Sequence, residues 1–156
     1  MIIKGYQEII NRTTNGVYII GSRKNNFING MTCAWLTQIS FNPMLIAVSI
    51  DKSHYTSELI KESGIFSVNI LSESQKDIAK HFGFKSGRNV NKFDNIQYEI
   101  SSTGAPILKD CLAYLDCKVV NLFNVASRVL FIGEVLSAVL KQKELKPLVY
   151  NYHDYF

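Results

Sequence analysis

Several motifs that carry enzyme chemistry are missing from this chain of 156 residues. No GxGxxG follows a predicted strand and no GxxxxGKS/T occurs, which excludes the usual dinucleotide fingerprint and the P-loop. HExxH and GxSxG are also absent, and His54, His81 and His153 lack the spacing of metal ligands. The sequence therefore predicts neither a metal site nor a hydrolase triad, and we expect no catalytic side chain. Such a chain can still catalyse a reaction if a cofactor supplies the reactivity.

Cysteine is scarce. Cys33, Cys111 and Cys117 form an odd set without a CxxC pair, which argues against a secreted disulfide framework. Cys33 and Cys117 fall on the apolar faces of predicted strands, where a buried thiol acts as a small hydrophobic group, and we favour that role over redox chemistry. Residues 1–6 lack the apolar core and the cleavage site of a signal peptide. We therefore expect a cytoplasmic protein.

Charge is low and is not gathered in one region. Charged residues make up 19% of the chain, hydrophobic residues 47%, and the formal net charge is +4, a composition typical of an ordered globular protein. Nucleic-acid-binding proteins usually concentrate basic residues on a face or arm, whereas here they are scattered. We expect no nucleic-acid partner. The length fits one domain, residues 1–156, which can bury a core without disulfides.

The longest uncharged run covers residues 25–50. A transmembrane helix needs about 20 predominantly apolar residues, but Asn, Gln, Ser and Thr interrupt this run, so we expect no membrane insertion. In residues 31–41 the odd positions are mostly large and apolar and the even positions mostly small or polar. This period of two predicts a strand with two unlike faces, and Asn42-Pro43 separates it from a second strand. The small-residue face leaves room for a flat ligand against the backbone.

The rest of the chain predicts more strands than helices. Strands are expected at residues 16–22, 65–71, 112–123 and 129–140, with a short one near 96–100. One helix is expected over residues 57–63, stopped by Gly64, and another after a capping box from Ser72 to Gln75. We therefore predict a mainly β protein, an antiparallel Greek-key barrel with helices packed outside. A doubly wound parallel sheet fits poorly, because the second half lacks crossover helices.

The loop of residues 52–57, with the sequence Lys-Ser-His-Tyr-Thr-Ser, is the best candidate anion site. It follows a predicted strand and opens a helix, where backbone N–H groups and the positive end of the helix dipole point outward. Ser53, Thr56 and Ser57 add hydroxyl donors, and Lys52 adds a point charge. Alternatively, Ser and Thr serve here only as N-caps. The residues alone leave both interpretations open.

Three further features could contact a ligand or could be structural. Residues 82–88 could cover a ligand, but a helix C-cap followed by a solvated basic loop is favoured from their spacing. Trp35 is interpreted as a core residue rather than a ligand-stacking one. The aromatic residues of segment 150–156 predict docking against a groove or a partner subunit, since chain ends normally fray. The alternative is a chain that stops before its natural end.

Several motifs follow one another in order along nearly the whole chain. They are Asn29-Gly30, residues 32–43 (TCAWLTQISFNP), 46–52 (IAVSIDK), 61–71 (KESGIFSVNIL), 82–87 (FGFKSG), 92–93 (KF), 104–106 (GAP) and 131–135 (FIGEV). Together they resemble the flavin reductase-like, FMN-binding split-barrel family. Within it, the chain is most similar to the short branch that includes archaeal ferric reductase, flavoredoxin and the flavoprotein part of high-molecular-weight rubredoxin.

The resemblance implies a homodimer with a split β-barrel fold that binds FMN near the subunit interface. It implies that the isoalloxazine ring is lined by Met31, Thr32, Cys33, Ala34 and Trp35. It implies that the ribityl chain and phosphate meet Asp51, Lys52, His54, Thr56 and Ser57. It further implies that the pocket is closed by Phe82, Phe84, Lys85, Ser86 and Lys92. Relatives often have Asn at position 34 and a small hydroxyl residue at position 35, so the ring environment is expected to differ here.

The activity implied by the resemblance is electron transfer from NAD(P)H through bound FMN, whose N5 accepts the hydride. The implied acceptor is free flavin, a ferric complex or a small redox protein. Two alternatives stay open: a flavin-bound electron carrier without NAD(P)H activity of its own, and a non-catalytic ligand-binding barrel.

Overall fold

The computed structural model describes residues 4–156, so residues 1–3, on which the signal-peptide interpretation partly depends, lie outside it. The helices are α1 (Lys4–Ile10), α2 (Tyr55–Ser63) and α3 (Lys76–Gly83), followed by a 3-10 turn at Tyr152–Asp154. The strands are β1 (Tyr18–Lys24), β2 (Phe27–Cys33), β3 (Leu36–Phe41), β4 (Met44–Asp51), β5 (Ile65–Ile70), β6 (Tyr98–Ile100), β7 (Pro106–Leu108), β8 (Ala113–Val125) and β9 (Arg128–Leu140). No helix in this range is long and apolar enough to cross a membrane.

Seven of the strands form one antiparallel sheet in the order β2-β1-β5-β8-β9-β4-β3. Its two edge strands, β2 and β3, are consecutive in the chain and are joined only by Ala34 and Trp35. A two-residue connection spans at most about 11 Å between the strand ends, so the sheet must curl until its edges meet. There, the backbone N–H of Ser49 in β4 donates to the carbonyl of Trp35 at 3.0 Å. The prediction of a mainly β, antiparallel fold is confirmed.

The curled sheet encloses one core, and a second core lies outside it. Inside, Ile20, Val48 and Phe131 are buried together with the other members of the first cluster. Outside, Ala79 and Phe82 of α3 pack with residues of β1, the segment after α3 and the β7 region. The helix therefore buries its apolar face on the outer side of the sheet, which positions the loop that follows it beside β2.

Several element boundaries differ from the prediction. Helix α2 begins two residues early, at Tyr55, but ends as predicted, where Gly64 adopts φ +71° and its N–H donates to the Ile60 carbonyl. The capping box is only half formed: the Gln75 side chain accepts from the Ser72 N–H at 3.0 Å, as predicted, but Gln75 rather than Ser72 is the N-cap of α3. Ser72 instead forms a β-bridge with Pro147. The single short strand expected near residues 96–100 is one partner of the β6–β7 pair.

The apolar alternation of residues 31–41 does not stay on one face. Met31 and Cys33 are buried, whereas Trp35, Ile39 and Phe41 are exposed, Trp35 by 52% and Phe41 by 83%. The prediction that Trp35 belongs to the core is therefore wrong. The connection between β2 and β3, followed by a bulge between Gln38 and Ser40, reverses which positions face inward. The Trp35 ring instead lies 4.4 Å from the guanidinium of Arg128.

Candidate functional site

A cavity of about 200 Å³, here called the central cavity, lies between β2, the N-terminus of α2 and the segment that follows α3. Nine residues singled out from the sequence line it: Met31, Thr32, His54, Thr56, Phe82, Phe84, Lys85, Ser86 and Lys92. Five residues not singled out as cofactor contacts complete it: Asn29, Ser53, Tyr55, Gly83 and Gly87. The structure thus brings together elements that are more than fifty residues apart in the chain.

The N-terminus of α2 forms one wall of this cavity. His54 is its N-cap but provides no side-chain cap, so the first N–H groups of the helix are not occupied by a capping side chain. Burial, the largest effect, lowers the pKa of His54, which favours the neutral imidazole. Behind this wall, the buried Asn29 amide donates to the Thr56 hydroxyl at 3.0 Å. This arrangement offers an anion backbone donors and a positive helix end.

The loop before α2 is fixed by its own hydrogen bonds. Asp51 accepts from the backbone N–H and the hydroxyl of Ser53, at 2.9 and 2.8 Å, and these bonds lower the pKa of the carboxyl. Lys52 points away, because its ammonium donates to the carbonyl of Ala126 at 2.9 Å. Ser57 is buried, and its hydroxyl has no hydrogen-bond partner among the described residues. Asp51, Lys52 and Ser57 are therefore not among the residues that line the central cavity.

Lys92 supplies a buried cation. Its ammonium donates to the carbonyls of Gly30 and Phe82, at 2.9 and 2.8 Å, and burial lowers its pKa to about 8. Because an ammonium carries three donors, one N–H is left for a ligand in the cavity. His81 holds the Lys92 backbone through Nε2, which lies 2.7 Å from the Lys92 carbonyl. A carbonyl can only accept, so this nitrogen carries the proton.

A smaller pocket of about 170 Å³, the aromatic pocket, adjoins the central cavity. The two share the wall residues Thr32, Gly83 and Phe84, and Ala34 lies in the aromatic pocket alone. The chain end forms its far wall: the rings of Tyr150 and Tyr155 stack 5.6 Å apart, and Phe156 meets Phe84 at 6.0 Å. Segment 150–156 therefore docks against a groove, one of its two predicted locations.

Cys33 and Trp35, both placed beside the ring by the resemblance, line neither space. Cys33 is buried at the end of β2, and its sulfur lies 3.8 Å from the Trp35 carbonyl. Burial raises the pKa of the Cys33 thiol to about 11, so the thiol is protonated at neutral pH. This environment is that of a structural cysteine. Within residues 4–156, no group of three or more His, Cys, Asp and Glu side chains could hold a metal ion.

The residues missed by the sequence reasoning have recognisable roles. Asn29 is a buried polar residue within an uncharged run. A buried polar side chain needs a hydrogen-bond partner, and this requirement could have marked Asn29 as part of a site. Gly87 packs so closely on Asn29 that a Cβ there would overlap the Asn29 side chain. Nothing in the local pattern predicts this contact, since it joins β2 to a loop nearly sixty residues later.

Fold and site together define a class: an antiparallel, curled β-sheet protein in which a helix N-terminus without a side-chain cap lines a cavity beside the second strand. The model of the flavin reductase-like domain family matches residues 10–156 of this chain, and the chain belongs to that family. The family resemblance predicted from the sequence is confirmed. The protein is a member of a family of flavin reductase-like oxidoreductases.

Three relatives show the extent of the similarity. High molecular weight rubredoxin of Moorella thermoacetica is 38% identical over 143 residues, which cover 90% of this chain but only 62% of that protein. The ferric-chelate reductase (NAD(P)H) of Archaeoglobus fulgidus is 33% identical over 151 residues, covering 95% of this chain and 87% of the relative. The crystal structure of flavoredoxin from Methanosarcina acetivorans superposes with a TM-score of 0.84 at 27% identity, covering 90% of this chain and 82% of that one.

Proposed function

We propose that this protein is an FMN-dependent oxidoreductase that takes electrons from NAD(P)H and passes them to free flavin, a ferric complex or a small redox protein. One observation carries the proposal: the central cavity places the N-terminus of α2 and the buried Lys92 around one space beside β2. Such a space suits a ligand with a phosphate at one end and a flat, polar-edged ring at the other.

The residues present fit FMN. The phosphate would be held by the N-terminal N–H groups of α2 and by the hydroxyls of Ser53 and Thr56, which line the cavity. Met31 and Thr32 would lie against the ring from β2, and Phe84 would close the pocket. When bound, the flavin supplies a hydride acceptor, so the chain itself needs only to bind and orient the two reactants. This division of labour agrees with the lack of a recognisable catalytic side chain in the sequence.

The donor and acceptor classes rest on the relatives. One of them is a ferric-chelate reductase that uses NAD(P)H, and this chain covers 87% of it. The high molecular weight rubredoxin relative supports the alternative proposal, a flavin-bound electron carrier without NAD(P)H activity of its own. Both proposals use the same bound FMN and differ only in whether NAD(P)H reduces it directly.

Anaerobic mixing of the FMN-loaded protein with NADH or NADPH separates the two. If the protein is a reductase, the visible absorption of the oxidised flavin should be lost after mixing with the donor. An unchanged spectrum with both donors would leave only the electron carrier. If the protein binds no FMN at all, both proposals are wrong and the alternative of a non-catalytic ligand-binding barrel is favoured.

We also propose that the chain forms a homodimer through exposed apolar side chains of β3 and β8. These two strands flank β9 and β4 in the sheet order β8-β9-β4-β3. Their exposed apolar side chains are Ile39, Phe41, Val120, Leu122, Phe123 and Val125. Contiguous exposed apolar side chains are typical of protein interfaces. This proposal supplies a partner for the apolar face that β3 turns outward.

A further inference from the structure

The aromatic pocket is not used by the proposed function, and its size indicates what kind of ligand it suits. Its volume is about 170 Å³, and it adjoins the central cavity, with which it shares Thr32, Gly83 and Phe84. An apolar cavity of about 150 Å³ is large enough to bind benzene. The aromatic pocket therefore has room for one six-membered ring with small substituents. Such a ring would lie next to the ligand of the central cavity.

The walls of the aromatic pocket are uncharged. Among residues 4–156, no Lys, Arg, Asp or Glu side chain lines it. Besides the shared residues, its walls are Val17, Ala34, Ala79, Tyr150, Tyr155 and Phe156. The Thr32 hydroxyl is already engaged, because it donates to the Ala79 carbonyl. Since an unpaired charge is costly to remove from water, and aromatic walls pack well on flat rings, the pocket favours an uncharged aromatic or quinoid ring over a charged complex.

Tyr155 supplies a hydrogen-bond donor that has no acceptor. Its hydroxyl is shielded from solvent and has no hydrogen-bond partner among the described residues. Burial, the largest effect, raises the pKa of Tyr155, so the hydroxyl keeps its proton at neutral pH. Buried side-chain hydroxyls nearly always have a partner, and a carbonyl oxygen on a ring in the pocket would provide one. The unpaired hydroxyl and the shape of the pocket thus indicate the same ligand class, a single ring that carries a carbonyl oxygen.

We propose that the aromatic pocket binds a quinone, which accepts the electrons of the bound flavin. The inference rests on the proposed function, which supplies reduced FMN in the adjoining cavity. Reduction of a quinone to a hydroquinone takes up two electrons and two protons, and the same number is released when two-electron-reduced FMN returns to its oxidised form. A quinone places carbonyl oxygens on one uncharged ring. It therefore combines the size, the neutrality and the hydrogen-bond acceptor that the walls of the pocket require.

Calorimetric titration with acetophenone, a redox-inert ring with one carbonyl oxygen, tests the pocket with and without bound FMN. Tyr155→Phe removes only the hydroxyl, and Tyr152→Phe is a control in the same segment whose ring does not line the pocket. Loss of one hydrogen bond predicts about fivefold weaker binding by Tyr155→Phe and unchanged binding by Tyr152→Phe. Ligand-free Tyr155→Phe should unfold at no lower temperature than the wild type, because the lost hydroxyl has no partner in the protein.

The pocket assignment is overturned if the wild type does not bind acetophenone, or if Tyr155→Phe binds it as tightly as the wild type does. Because the chain alone forms the pocket, this titration remains decisive if the protein fails to bind FMN. Failure to bind FMN contradicts the proposed function instead.

Anaerobic reoxidation tests the electron transfer. The FMN-loaded protein is reduced with one equivalent of dithionite, so that no donor activity is needed, and is mixed with duroquinone, whose fully methylated ring does not add to cysteines. The rate of flavin reoxidation should saturate with duroquinone, acetophenone should compete, and Tyr155→Phe should raise the half-saturating concentration about fivefold. Ferricyanide, a charged acceptor that the uncharged walls disfavour, should reoxidise wild type and variant at equal rates. A duroquinone reaction unaffected by acetophenone would show that the electrons leave by another route and would overturn the inference.

Discussion

At the scale of single residues, Lys92 is the side chain whose environment says most about the site. Burying an ammonium costs free energy unless its N–H groups have acceptors, and two backbone carbonyls accept two of the three in Lys92. The third N–H can complete a set of donors for an anionic or carbonyl-rich ligand. Lys52, which the sequence favours as the phosphate cation, is instead occupied by the β8–β9 turn. Lys92, the buried lysine that lines the cavity, is thus forty residues from Lys52.

Lys92 predicts a pH dependence of FMN affinity. Its pKa is about 8, so the charged form that favours the ligand predominates below pH 8 and is lost as the pH rises through this value. Since the phosphate of FMN is already ionised at pH 7, the affinity should fall about tenfold from pH 7 to pH 9. Lys92→Met should bind FMN more weakly at pH 7 and show a flat profile over this range. Fluorescence titration measures both, and a wild-type affinity independent of pH would contradict the role of Lys92.

Substitutions of Thr56 and Lys52 are expected to differ in their effect on FMN affinity. Thr56→Val removes the hydroxyl that accepts from the buried Asn29 amide, so it should cost about 1–3 kcal/mol of stability and weaken FMN binding. Thr56→Ser keeps the hydroxyl and is the control. Lys52→Met should change FMN affinity less than Thr56→Val, because the Lys52 ammonium faces the Ala126 carbonyl. Thermal unfolding measures the change in stability, and fluorescence titration measures FMN affinity. If Lys52→Met weakens FMN binding more than Thr56→Val does, the phosphate site lies at Lys52.

At the scale of secondary-structure elements, local sequence predicts most of the strands and marks two segments that line the central cavity, 52–57 and 82–88, but it does not predict how they meet. The period-two patterns and the helix stop at Gly64 depend on neighbouring residues, and they are recovered. The face of the sheet on which β3 places its apolar side chains is not predicted. It is set by the short β2–β3 connection and by the bulge in β3, and both depend on how the sheet curls. The contacts of Asn29 with Thr56 and of Lys92 with Gly30 join distant elements and have no local signal.

Substitutions at two glycines distinguish an effect on FMN binding from an effect on stability. Gly87→Ala should weaken FMN binding, because a Cβ would push the loop after α3 away from Asn29. Gly64→Ala meets no atom within 4 Å, yet it should cost about 1 kcal/mol through its φ of +71°. Its FMN affinity should be that of the wild type. Equal FMN affinity of Gly87→Ala and Gly64→Ala would mean that the loop does not shape the cavity.

At the scale of the whole molecule, the curled sheet has two different surfaces outside its core. One is covered by α3, the segment after it and the chain end, and this covered side contains the aromatic pocket. The other, on β3 and β8, exposes apolar side chains to solvent in a single chain. The proposed homodimer would cover the second surface, which would explain why an apolar alternation typical of a core appears on an exposed strand.

Phe41→Glu tests the dimer. Phe41 is 83% exposed in the single chain, so a charge there should leave the monomer fold intact and dissociate the dimer. Sedimentation velocity should show a dimer for the wild type and a monomer for this variant. Ile100→Glu is the control, since Ile100 is exposed on β6, away from β3. A monomeric wild type would remove the proposed interface.

We infer that the N-terminus of α2, beside β2, holds the phosphate of a flavin. Titration of the flavin-free protein with FMN and, separately, with riboflavin tests it most directly, because the two ligands differ only in the phosphate. FMN should bind at least about tenfold more tightly than riboflavin, since charge-assisted hydrogen bonds contribute more than neutral ones. Thr56→Val should reduce this preference. Equal affinities for FMN and riboflavin would show that the N-terminus of α2 does not hold the phosphate.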